Sequence, residues 1–152
     1  MRKWLRNVWE EVARPLFLRP QRVQFAALCV RNSERGEEVL LITSRDTGRW
    51  IIPKGWPMDN TDGAETARLE AWEEAGVHAD HLNRKPVGYF TYDKILDDGS
   101  AMPVRTSVFR IDVKELADTY PEVGQRERHW FLPKDAAKQV REPELRDLLL
   151  QM

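Results

Sequence analysis

Cysteine is almost missing from this chain: Cys29 is the one cysteine in 152 residues. An intrachain disulfide is therefore excluded. Cys29 lies in the apolar run FAALCV, which suits a buried, inert thiol rather than a nucleophile. A chain without disulfides fits a reducing compartment, and the cytoplasm is the expected location. An excess of one charge is missing too. The 24 basic residues face 25 acidic ones, for a net charge of −1. That balance supplies no basic track, so no nucleic-acid partner is expected. No apolar run approaches the roughly 20 residues of a membrane span, so no membrane association through a span is expected. The basic start of the chain soon meets Glu10 and Glu11, which leaves no signal-peptide core. Neither GxxxxGK[ST] nor GxGxxG occurs, so phosphate binding would not use those glycine loops. Internal repeats and low-complexity tracts are lacking. The length suits one domain that buries about two-thirds of its unfolded surface.

What is present is an acidic helix. In the stretch Gly55–Val77, GWPMDNTDGAETARLEAWEEAGV, Glu70, Glu73 and Glu74 stand at i, i+3 and i+4. That spacing projects all three carboxylates from one face. Like charges so placed repel, unless a cation lies between them. A hard divalent cation takes oxygen ligands and is held by a few carboxylates together with substrate phosphates. Ala64, Ala67, Ala71 and Ala75 form a small-residue stripe beside the acidic face, which lets the helix approach a sheet closely. Asp62 is the expected N-cap with Glu65 as its capping-box partner, and Gly76 is the expected stop. Trp72 is expected to anchor an edge of the core. A calcium loop starting at Asp59 is excluded, because its sixth position needs glycine and holds Ala64.

Elsewhere the pattern predicts a helix over residues 2–13, with Trp4, Leu5, Val8, Trp9 and Val12 at helical spacing and Pro15 and Pro20 closing it. Its apolar face is expected to pack on the domain or on a second copy in a homodimer. The expected division is an N-terminal helix and connector over 1–20 and the main domain over 21–152. Strands are predicted at Phe25–Val30, Glu38–Thr43 and Trp50–Ile52. Val87–Leu96 and Pro103–Val113 read as a long hairpin turning through Asp97–Ser100. Arg128–Leu132 reads as a last strand, and Pro133–Val140 and Glu142–Leu149 as closing helices. This order predicts an α/β fold, a mixed sheet with helices on both faces.

The segment from Gly55 resembles the Nudix box, G-x5-E-x7-R-E-U-x-E-E-x-G-U, where U is bulky and apolar. Gly55, Glu70, Glu73, Glu74, Gly76 and Val77 match it, and Ala71 fills a U position with a small residue. Thr61 stands where the first glutamate is expected and Leu69 where the arginine is expected. Arg68 is one residue early, about 100° around the helix, and cannot substitute. RWIIPK before the box, and RERHWF with PKDAA after it, resemble the diphosphoinositol and diadenosine polyphosphate hydrolase branch. The resemblance covers most of residues 22–150.

The resemblance implies an α/β/α sandwich and a pyrophosphohydrolase that uses Mg²⁺, with Mn²⁺ as an alternative. Its substrate would be a small polyphosphorylated molecule, of the dinucleoside polyphosphate or diphosphoinositol polyphosphate type. Glu73 and Glu74 are then the expected direct metal ligands. Glu70 is a ligand or the general base, and the Gly55 carbonyl is a further ligand. Thr43, Ser44, Arg45, Lys54 and Arg126 fall at positions that look substrate-facing in that branch. Arg105, Arg128, Glu127 and Asp97 are weaker candidates. Where the branch has basic residues on the first strand, this chain has Val23 and Phe25, which favours dinucleoside over inositol substrates. Trp50, Trp56 and Tyr92 are candidates for stacking on a base. Two rival readings stand beside this one. Removal of pyrophosphate from RNA 5′ ends calls for a basic track that the charge balance does not supply. A non-catalytic nucleotide-sensing domain is favoured by Leu69 and Thr61 and opposed by the retained glutamate trio.

Overall fold

A computed structural model describes residues 22–152. The helix expected over residues 2–13 and its connector lie outside the described residues. The described chain runs β1 (Arg22–Ser33), β2 (Gly36–Thr43), β3 (Trp50–Ile51), β4 (Lys54–Gly55), α1 (Gly63–Ala75), β5 (Val77–Leu82), β6 (Gly88–Ile95), β7 (Ala101–Leu116), β8 (Arg128–Phe131), α2 (Pro133–Gln139) and α3 (Pro143–Leu150). All eight strands belong to one mixed sheet, with main order β3-β2-β1-β7-β5. Strand β4 adds to β1, β6 to β7 and β8 to β2. The central pair β1–β7 is parallel and the other pairs are antiparallel.

The apolar runs in β1 and β2 are nearly continuous because both faces of the sheet are covered. Alternate residues then go to opposite sides. Ala26, Leu28, Val30, Val39 and Leu41 face α2 and α3, with Ala136, Val140, Leu145 and Leu149 across from them. Ala27, Cys29, Leu40 and Ile42 face α1 and its stripe of Ala64, Ala67, Ala71 and Ala75. All four alanines are buried. The stripe therefore does what small residues permit, and the helix lies close on the sheet. Its first residue, Gly63, sits against the rings of Phe25 and Phe109.

Strand β1 changes partner along its length. Val30–Ser33 pair with β2, while Phe25 and Ala26 pair with Gly55 and Lys54 of β4. The Ala27 N–H donates to the Pro53 carbonyl at 2.9 Å, which carries the second ladder on. The sheet forks here, and the fork seats Lys54 and Gly55 beneath α1.

Most elements lie where their patterns placed them, including the β6–β7 hairpin. Two strands had no clear pattern. β4 is two residues long. β5, VHADHL, is a half-polar partner of β7 with two register shifts, which blur any alternation. Trp72 is half-buried and stacks on His78, with ring centroids 4.8 Å apart.

Because the alanine stripe sets the helix–sheet distance, Ala71→Leu should overpack it. The expected cost is about 1–3 kcal/mol, lowering Tm by roughly 2–12 °C for a domain of this size. Thermal melts of that variant beside Leu150→Ala, at an exposed position, check this. Equal melts would remove the close-packing account.

Candidate active site

Helix α1 is fixed at both ends. Asp62 accepts a hydrogen bond from the Glu65 N–H at 2.8 Å, as an N-cap should. The Glu65 carboxylate pairs with Arg68 one turn on. At the other end Gly76 adopts a left-handed φ of 69°. A Cβ there would also strike the Tyr120 ring at 2.5 Å. The helix is thus held in rotation, and Glu70 and Glu74 point toward the fork.

Glu70 lies directly over Gly55. A Cβ at Gly55 would fall 2.1 Å from Glu70 Oε1, so any larger residue there would push the carboxylate out of this position. Glu74 is buried, and its Oε2 accepts from the Lys54 N–H at 3.4 Å. The two carboxyl groups lie close enough for each to act on the other's ionisation. Burial and the Glu74 charge push the Glu70 carboxyl up to about 8. Burial also pushes Glu74 upward, opposed by the Arg126 and Lys54 charges. Burial presses the Lys54 amine down to about 8, while the Glu74 charge resists this.

These groups line a cleft of about 500 Å³ with Ser44, Arg45, Trp56, Tyr92 and Lys94. Arg126 forms part of its wall. The Arg126 guanidinium donates to the Thr43 carbonyl at 3.1 Å and pairs with Glu122 at 3.4 Å and Glu74 at 3.9 Å. Three of its five N–H donors are bonded within the chain, so Arg126 braces the carboxylates. Arg45 is exposed, 3.5 Å from Glu122 and bonded to Gln125. The Ser44 hydroxyl is shared with that of Thr47 at 2.6 Å in the β2–β3 loop.

Of the expected site residues, Gly55, Glu70, Glu74, Ser44, Arg45, Lys54 and Arg126 share this cleft, whereas Glu73 and Thr43 do not line it. The Glu73 carbonyl accepts from the Glu122 N–H at 3.0 Å, and its charge still acts on Glu70. The Thr43 hydroxyl accepts from the Glu127 N–H at 2.9 Å. Glu127 lines a separate hollow beside Trp50 and His129. Arg105 lies over the Tyr89 ring, and Arg128 donates to the Ala75 carbonyl. Asp97 is in the hairpin turn. Trp50 packs on Phe131, while Trp56 is exposed on the cleft rim.

Among the cleft residues that escaped the sequence reading are Glu122 and Gln24. Glu122 sits in an irregular loop with no periodicity to mark it. Gln24 is buried and accepts from the Tyr92 hydroxyl at 2.6 Å. Its signal was alternation: Gln24 shares the phase of Ala26 and Leu28, whereas Phe25 packs against the start of α1. The first-strand position that bears on the cleft is therefore Gln24, not Val23 or Phe25. The departures from the box also have partners. The Thr61 hydroxyl meets the Met58 carbonyl and the Thr66 hydroxyl, both at 2.8 Å. Leu69 lines a different hollow, with Arg68, Trp72 and His78.

The donor set fits a hard divalent cation in part. Two carboxylates are pressed together beside Gly55, and the like charges call for a cation. Among the described residues no three carboxylate or imidazole groups are gathered closely enough to enclose one without further ligands.

The family model described as NUDIX domain matches residues 20–152. The chain belongs to the NUDIX family, whose hydrolases generally use divalent metal ions. It is 40% identical over 119 residues to diphosphoinositol polyphosphate phosphohydrolase 3-alpha of Mus musculus, covering 74% of this chain and 65% of that protein. It is 32% identical over 124 residues to Nudix hydrolase 16, mitochondrial, of Arabidopsis thaliana, covering 79% and 68%. The crystal structure of C. elegans Ap4A hydrolase shares the fold at a TM-score of 0.62 and 19% identity, covering 87% of this chain and 96% of that one. The chain thus spans just under two-thirds of the length of the mouse relative. No described helix is long and apolar enough to cross a membrane.

The carboxylate pair has a pH signature. The Glu70 carboxyl ionises near 4.5 when unfolded and near 8 when folded. Between those values the folded state binds more protons, so stability should fall as pH rises. In chelator, Glu70→Gln should melt like the parent near pH 4.5 and above it near pH 8.5. Adding Mg²⁺ at pH 8.5 should raise the parent's Tm more than the variant's. A variant with no gain at high pH would show that the two carboxylates do not oppose one another.

Proposed function

We propose that the chain is a divalent-metal-dependent pyrophosphohydrolase of small polyphosphorylated molecules, with a dinucleoside polyphosphate favoured over a diphosphoinositol polyphosphate. The observation that carries this reading is the meeting of Glu70 and Glu74 over Gly55 in one cleft with Lys54 and Arg45. Water attacks phosphorus, the anhydride P–O bond breaks, and a phosphate or nucleotide leaves with the bridging oxygen. Glu70, Glu74, the Gly55 carbonyl and, after a side-chain turn, Glu73 are the groups proposed to hold Mg²⁺ or Mn²⁺. The bound ion would neutralise phosphoryl charge and acidify a bound water. Glu70 is also placed to take the attacking water's proton. Lys54 and Arg45 neutralise the phosphate chain, while Arg126 keeps Glu74 and Glu122 in position. The uncharged Gln24 at the cleft wall favours the nucleoside type.

A sensing domain without turnover is the second reading. Leu69 and Thr61 favour it, because the usual arginine–glutamate bracing of the box is replaced by a hydroxyl pair between Thr61 and Thr66. Release of phosphate and of nucleotide, read separately, from dinucleoside polyphosphates, nucleotides and inositol pyrophosphates decides between them. Turnover should require Mg²⁺ or Mn²⁺ and stop with chelator. Glu74→Gln should lower the rate at least about a hundredfold with the fold intact. Full activity in that variant rejects the metal assignment, and silence of the parent on every substrate supports the sensor.

Lys54→Ala and Arg126→Ala should differ. Losing Lys54 should raise KM, more for a tetraphosphate-bridged substrate than for a shorter one, by about 1–3 kcal/mol of contact. Losing Arg126 should also lower Tm, since the Thr43 carbonyl and Glu122 lose their donor. Matching kinetics and melts in the two variants would remove this distinction.

A further inference from the structure

A second hollow of about 530 Å³ opens off the cleft and shares Ser44, Lys54, Tyr92 and Lys94 with it. One wall is β6 at Thr91–Ile95, and the other is the start of α3 at Arg141–Pro143. The walls are tied together. Glu144 accepts from both the N–H and the hydroxyl of Thr91, each at 2.8 Å.

Glu142 stands between them. It is the N-cap residue of α3, yet its side chain makes no capping bond. The residue is only 6% exposed. Its Oε1 accepts from Arg49 Nη1 at 2.7 Å. Its Oε2 is buried and has no hydrogen-bond partner among the described residues. A buried carboxylate oxygen with an unmade bond is costly. Among the described residues its side chain neither caps the helix nor finds a second partner. The terminal torsion of a glutamate is soft, so a small turn can present Oε2 to the hollow.

A partner for that oxygen must bring an N–H or O–H group. Charge in the hollow nearly balances, with Arg49, Lys54, Lys94 and Arg141 against Asp46, Asp93 and Glu142. A ring crowded with phosphates would meet three carboxylates there. A planar uncharged group would not, and Tyr92 and Ile95 offer it an aromatic and an aliphatic surface. We infer that the hollow holds the nucleobase of a substrate whose phosphates lie in the cleft, and that Glu142 selects guanine. Guanine carries two adjacent N–H groups on one edge, which match a carboxylate. Adenine and cytosine place a ring acceptor beside their amino group, and that lone pair faces the carboxylate. Uracil has one N–H between two carbonyls. A site built to accept two adjacent hydrogen bonds discriminates strongly against bases that offer only one donor beside an acceptor. The inference rests on reading the cleft as a polyphosphate site, but not on turnover.

The test is equilibrium binding to the full chain in chelator, where nothing is hydrolysed. The probes are GDP, ADP, CDP, UDP and inositol hexakisphosphate. GDP should bind at least tenfold more tightly than the other nucleotides. Glu142→Gln should abolish the GDP preference, because the amide accepts one guanine N–H at most and its own N–H can meet adenine's ring acceptor. If that variant melts early because Arg49 has lost its partner, the double variant Arg49→Gln with Glu142→Gln removes both charges and should likewise show no GDP preference. Equal GDP and ADP affinities in the parent, a preference that survives Glu142→Gln, tighter binding of inositol hexakisphosphate, or no GDP binding would each overturn the inference. GDP-selective binding without hydrolysis of any substrate would overturn the catalytic reading alone.

Discussion

The approach of Glu70 and Glu74 to one another, over a residue with no side chain, is the constraint on which the site depends. Two carboxylates do not come together in a half-buried cleft of their own accord. They are held there because α1 cannot rotate or lift. Its alanine stripe is flush with the sheet, its N-cap is bonded, and Gly76 closes its last turn beneath Tyr120. The repulsion is offset partly by Arg126 and Lys54 and partly by proton uptake. The fold thus holds a charge arrangement that a cation would relieve, which separates this acidic face from a merely solvated one.

The same logic explains the bracing around it. Arg126 reaches a backbone carbonyl of β2 and two carboxylates at once. It couples the edge of the sheet to the irregular loop carrying Glu122. A lysine, with a compact charge and no planar fork, would not make these contacts in the same geometry. Thr61 and Thr66 make a related substitution on the other side of the site. The two hydroxyls meet at 2.8 Å, so the uncharged residue at position 61 has a partner and leaves no charge buried alone.

How much of this could be read beforehand follows from where each signal is written. Helix α1 was legible in full, because its cap, stripe and acidic face are encoded within one short segment. The two-sided sheet was legible from the apolar runs of β1 and β2. The division of labour among charged residues was not. Sequence spacing put Glu73 on the acidic face with its neighbours, but the cleft is formed by the two carboxylates one full turn apart. Thr43 and Arg126 looked like substrate contacts, yet the Thr43 hydroxyl and much of the Arg126 guanidinium are bonded within the chain. Glu122 could not be found at all, since its place depends on a loop packing against Glu73 across the end of α1. Motif matching finds residues that sit in register with a pattern, and it does not reveal which donors tertiary contacts have already used.

The fork in β1 has a consequence for how such a domain can change. The paired carboxylates answer to β4 and the first half of β1. The walls of the adjoining hollow belong to the β2–β3 loop, the outer part of β6 and the start of α3. The β6–β7 hairpin turns at Gly99, with φ of 84°, in an exposed stretch that ends far from α1 in the chain. Length and composition can drift there without moving Glu70 relative to Gly55. The outer rim can therefore be edited while the carboxylate pair stays where it is, and editing of rim loops is how one scaffold comes to serve many ligands.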